Sequence, residues 1–78
     1  MDLTADDFDA MHHAIGRMSI ENAYRNYYRT KVGEKTAHRF EKTGCWDLIC
    51  EINDGRDAIY SVSMHGIRLL CEWLKQRR

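Results

Sequence analysis

Asn53-Asp54-Gly55-Arg56 stands between two alternating runs, and no other feature of the chain constrains its fold as strongly. Asp-Gly between apolar runs is a strong short-range hairpin signal, because both residues tolerate the positive φ that a tight turn between twisted strands demands. Before the turn, Trp46, Leu48, Cys50 and Ile52 alternate with polar Asp47 and Glu51, the period of a strand with one face buried. After it, Ala58, Tyr60 and Val62 alternate in the same way. The sequence predicts an antiparallel hairpin over 45–62.

Helical patterns flank the hairpin. Thr4 is placed to cap a helix whose first turn carries Asp6 and Asp7, where the helix dipole favours carboxylates. Leu3 and Phe8 occupy the two positions of a hydrophobic staple. Phe8, Met11 and Ile15 share one face, and Gly16 supplies the stop. A second helix is expected over 34–43, with Ala37, Phe40 and Thr36 inward and Gly44 at its end. A third follows Ser63 as its cap. Ile67, Leu70, Cys71 and Leu74 form its apolar stripe, Trp73 flanks it, and Lys75, Arg77 and Arg78 gather at the negative pole. Gly66 in its first turn suggests a close approach to the hairpin. The segment 19–30 reads two ways: Ser19 suits the cap of a short helix, whereas the tyrosines and Thr30 favour a strand. The reading adopted is a short helix or turn that loosens into loop by Val32-Gly33.

The expectation is one α+β domain over 1–78, built of helices and one antiparallel hairpin. No apolar run approaches the roughly 18 residues of a membrane span. The acidic start, Asp2 to Asp7, has neither the basic nor the apolar region of a signal peptide, so the cytoplasm is the expected location. Cys45, Cys50 and Cys71 are odd in number and irregular in spacing, which suits reduced thiols better than a disulfide framework.

Charge is balanced overall, with 12 acidic and 12 basic residues, but it is segregated. Asp2, Asp6, Asp7 and Asp9 make 1–16 acidic, seven cations against three glutamates make 17–42 basic, 43–67 is acidic again, and the end is basic. A dedicated DNA-binding domain draws most of its affinity from phosphate neutralisation and usually carries a plain basic excess. None exists here.

Two surface constellations stand out. Lys35, Arg39 and Lys42 share a helix face, with Lys31, His38 and the hairpin-tip Arg56 nearby; this would be the nucleic-acid-binding set, although Glu34 and Glu41 interleave as on an ordinary solvated face. Tyr24, Arg25, Tyr27, Tyr28 and Arg29 combine the residue types that dominate protein–protein hot spots and also stack on unpaired bases, while Tyr24 and Tyr28 equally suit a core. His12 and His13 are adjacent and diverge on a helix, and no standard zinc spacing is present, so neither metal nor cofactor is expected. Cys50 or Cys71 with His65 is the only nucleophile–base pairing in sight, and so small a domain rarely encloses a pocket that excludes water; the chain is not expected to be an enzyme. Trp73, Leu69 and Leu74 offer more apolar surface than one helix face buries, so either a monomer or a homodimer is expected.

Two resemblances add to this reading. Gly44-Cys45-Trp46-Asp47-Leu48-Ile49, the polar hairpin tip, and Tyr60-Ser61-Val62-Ser63-Met64-His65-Gly66 through Leu70 resemble the wing and following helix of winged-helix proteins, with Ser63 where Thr is usual. The helix that should precede 34–43 in a helix-turn-helix falls in the segment 19–30. Leu3-Thr4, His13-Ala14-Ile15-Gly16 and Tyr24-Arg25-Asn26-Tyr27-Tyr28 look like a group of short, mostly uncharacterised bacteriophage and prophage proteins. The second resemblance implies a protein-binding module in a host bacterial cell that inhibits a host protein or ribonucleoprotein complex, such as a CRISPR effector. The first implies, as the alternative, a winged-helix DNA-binding transcriptional regulator.

Overall fold

The computed structural model describes residues 3–23 and 25–77, with the side chain of Ile20 outside that description. The chain is a small α+β domain. Helix α1 spans Ala5–Ala14, a single 3-10 turn spans Ile20–Asn22, strand β1 spans Tyr28–Lys31, and helix α2 spans Lys35–Thr43. Strands β2 (Trp46–Ile52) and β3 (Asp57–Val62) form the hairpin, and helix α3 (Met64–Gln76) follows. The sheet is antiparallel with order β1-β3-β2.

The helix boundaries follow from their caps. The Thr4 side chain accepts from the Asp7 N–H, and the Asp7 carboxylate accepts from the Thr4 N–H at 2.7 Å, closing a capping box at α1. Gly44 ends α2 in the left-handed conformation. Ser63 caps α3 by accepting from the Gly66 N–H. The same hydroxyl donates to the Gly44 carbonyl at 3.0 Å, so one side chain joins the end of α2 to the start of α3. Gly66 is buried against the hairpin, as its position suggested: a Cβ there would meet the Cys45 carbonyl oxygen at 2.5 Å and Val62 Cγ1 at 2.7 Å.

The core lies on one side of the sheet. Met11 and Ala14 of α1, Ile15 at its C-cap, Phe40 of α2 and Leu70 of α3 close over Trp46, Ala58, Tyr60 and Val62. Phe40 stacks on Trp46 with ring centroids 3.9 Å apart, and Tyr28 and Tyr60 meet Phe40 edge-on. Trp73 stacks on Phe8, and Leu69 and Leu74 also pack against the core, so the apolar surplus expected on the last helix is taken up within the chain.

Three expectations need correction. The sheet has three strands rather than one hairpin, because 28–31 is extended: Tyr28 and Thr30 turn into the core while Arg29 and Lys31 stay out, a period-two pattern that overrides the helical reading of this stretch. In 19–30, where the first helix of a helix-turn-helix would fall, the described residues hold a single 3-10 turn and the start of β1. The alternation in β2 also fails to hold throughout. A bulge between Leu48 and Cys50 shifts the register, so Leu48 opposes Tyr60 but Cys50 opposes Ile59 and Glu51 opposes Ala58. Cys50 and Ile52 therefore lie on the opposite face from Trp46 and Leu48, and Trp46 alone in β2 is buried.

Candidate interaction surface

The helices leave much of the sheet uncovered. Its far face carries Asp57, Ile59 and Ser61 of β3, all half-buried, with exposed Arg29 and Lys31 beside them on β1. β2 forms one edge, where Leu48 and Ile49 are each 56% exposed and Cys50 is exposed as well. Tyr27, 49% exposed, stands just before β1.

Of the predicted tyrosine–arginine patch, Tyr24 lies outside the described residues. Tyr28 belongs to the aromatic core, edge-on to His13, Phe40 and Trp46. Tyr27 is the one described tyrosine of the set with nearly half its surface in solvent, and the Arg25 guanidinium lies 5.4 Å from its ring centre. Arg25 also donates to the His13 carbonyl at 3.0 Å near the end of α1. Arg29 pairs with Asp57 at 2.7 Å, and Asn53 donates to the same oxygen at 2.6 Å. These contacts, Asn53 first, hold the Asp57 carboxyl below its usual pKa. The tyrosines thus divide between core and surface, and the arginines are tied to their own fold.

The predicted nucleic-acid set separates into two places. Lys35, His38, Arg39 and Lys42 line one shallow open groove along α2. Lys31 and Arg56 flank the hairpin tip with Asn53, Asp54 and Asp57. Arg39 is clamped in a two-point pair: Nε donates to Asp7 Oδ1 at 2.8 Å and an Nη to Oδ2 at 2.6 Å. Asp7 is nearly buried at 9% side-chain exposure, and its pKa is lowered, chiefly by the Arg39 hydrogen bonds. The planar fork that would read a guanine is occupied by a carboxylate of α1.

Burial raises the Cys45 thiol pKa, which disfavours the nucleophilic thiolate. Cys50 pairs with Ile59 in the sheet, while His65 opens α3 beyond the opposite end of β3. Among the described residues no three His, Cys, Asp or Glu side chains cluster to hold a metal ion. A cleft of about 440 Å³ between α1 and α2 is lined by Asp6, Asp9, Arg17 and Lys35 around the Asp7–Arg39 pair, and is open and mixed in charge. No helix among the described residues is long and apolar enough to cross a membrane.

Sequence reasoning missed two features. Strict alternation turns Leu48 inward and gives Ile49 no buried face; the unbroken apolar run Leu48-Ile49-Cys50 is the signal that it cannot hold throughout β2. In the sequence Asn26 stands out only within the run Tyr24 to Tyr28. Its amide donates to the Val62 carbonyl at 3.2 Å and accepts from the Val62 N–H at 2.8 Å, extending the β1–β3 ladder by one rung. No family model matches the chain, and neither a curated protein nor a solved structure does.

Proposed function

We propose that the chain is a non-enzymatic protein-binding module that works through the open side of its sheet. In this reading it is a phage-encoded inhibitor of a host bacterial complex, a CRISPR effector being one candidate, acting stoichiometrically in the cytoplasm. The observation that carries the protein-binding reading is the β2 edge: more than half of Leu48 and Ile49 lies in solvent on a strand that carries acids and no cation. Exposed apolar side chains gathered on one element mark interaction sites. Phage origin and the kind of target rest on the resemblance of Leu3-Thr4, His13 to Gly16 and Tyr24 to Tyr28 to small phage proteins.

The test is retention on the immobilised chain from nuclease-treated bacterial lysate. A near-stoichiometric protein partner is expected, and an empty column at micromolar protein counts against the reading.

One observation favours a second reading, a winged-helix DNA-binding regulator. The Lys35, His38 and Lys42 side chains share the α2 groove, and the hairpin tip carries Arg56. Against it stand the neutral net charge and the Arg39 fork held by Asp7. Duplex binding that weakens steeply with salt would favour this second reading.

A further inference from the structure

We infer that the free edge of β2 docks an extended segment of the partner protein, one in which basic residues bracket apolar ones. This rests on the protein-binding reading above and specifies its surface and the chemistry of its partner. β2 has seven residues and, among the described residues, is paired along one edge only, to β3. An unpaired edge offers a row of backbone donors and acceptors that another strand can complete. Natural sheets guard such edges with Lys, Pro, other charges or a bulge; β2 has no Lys or Pro, but carries Asp47, Glu51 and one bulge. The bulge sits at Leu48–Cys50, and there the apolar side chains remain in solvent. The opposite edge suits an incoming strand less well: β1 has four residues, and the Tyr27 N–H beside it already donates to the Ala14 carbonyl of α1.

Charge selects the occupant. From Thr43 to Gly55 the chain carries Asp47, Glu51 and Asp54 and neither Lys nor Arg. Asp47 and Glu51 bracket Leu48-Ile49-Cys50, so an incoming strand meets acid, apolar residues, then acid. Opposite charges across a strand pair stabilise it and like charges destabilise it. A second copy paired here would bring together two edges that carry acids and no cation, which disfavours self-pairing. Across the bulge Asp47 opposes Ser61 and Glu51 opposes Ala58, so the two acids lie on opposite faces, and a strand whose cations stand three residues apart with apolar residues between them meets both.

The test uses the full chain, isotopically labelled for amide NMR, and two short capped peptides: one sets two lysines three residues apart around two valines, the other replaces both lysines with glutamate. The lysine peptide is expected to shift amides of β2 and adjoining β3, and to bind about tenfold more tightly than the glutamate peptide, the difference two cross-strand charge pairs allow. The double variant Asp47→Lys/Glu51→Lys, whose changes lie at exposed positions, should invert that preference. Equal response to both peptides, shifts centred away from β2, or self-association of the chain abolished by Ile49→Lys would overturn the inference. A chain that retains a host protein yet ignores both peptides would also overturn it, while leaving the proposed function standing.

Discussion

At the scale of single residues, two positions show how much one residue can hold. Gly66 sits where α3 crosses the hairpin, and no methyl group fits between it and the Cys45 carbonyl. Alanine there would gain about 1 kcal/mol of helix propensity but force the helix away from Val62. Gly66→Ala is therefore expected to lose about 1–3 kcal/mol in urea unfolding, and an unchanged or raised midpoint would contradict this packing. Asp7 closes the capping box of α1 and holds Arg39 of α2. Its folded pKa lies below the ordinary 3.8, so its contribution is present above the unfolded pKa and is lost as pH falls through the folded value. Unfolding midpoints measured across that acid range should fall for the natural chain and fall less for Asp7→Asn. At neutral pH, Asp7→Asn should cost about 1–2 kcal/mol, moderated because Arg39 keeps a third of its side chain in solvent.

At the scale of elements, β1 shows the limits of local reading. Its four residues pair with β3 alone, and Asn26 adds two side-chain hydrogen bonds to the Val62 backbone. Removing that amide leaves both Val62 groups short of a partner, so Asn26→Ala should cost about 1–3 kcal/mol. Amide hydrogen exchange should then speed in β1 before it speeds in the β2–β3 hairpin; uniform acceleration would show that Asn26 does not anchor the strand. The three helices and the hairpin were legible because their signals are local: Thr4, Gly44 and Ser63 act within a turn, and Asp54-Gly55 lies between two runs. β1 was not, since Tyr24 to Lys31 suits either period until β3 accepts one of them, and strand preference depends on what lies across the sheet. The β2 bulge was hidden for the same reason: it is a relation between two strands.

At the scale of the molecule, the predicted basic side chains are divided between the α2 groove and the hairpin tip. Asp7 holds Arg39, Asp57 holds Arg29 and Asp9 holds Arg17, each pair joining acidic and basic parts of the chain. Binding of random-sequence duplex, followed by anisotropy at low salt, is therefore expected to be absent at about 10 µM protein, where a basic domain would already bind non-specifically. The candidate surface was less legible than the fold. Composition identified tyrosines and arginines, but exposure depends on which of them the sheet turns inward, and only packing decides that for Tyr27 and Tyr28. The most direct test of a working surface on the sheet compares two variants on nuclease-treated bacterial lysate, Leu48→Glu/Ile49→Glu on β2 and Lys35→Glu/Lys42→Glu on α2. The protein partner should be lost from the first, with its fold intact by circular dichroism, and kept by the second. Loss from the α2 variant with retention by the β2 variant would contradict the account and move the working surface to the helix.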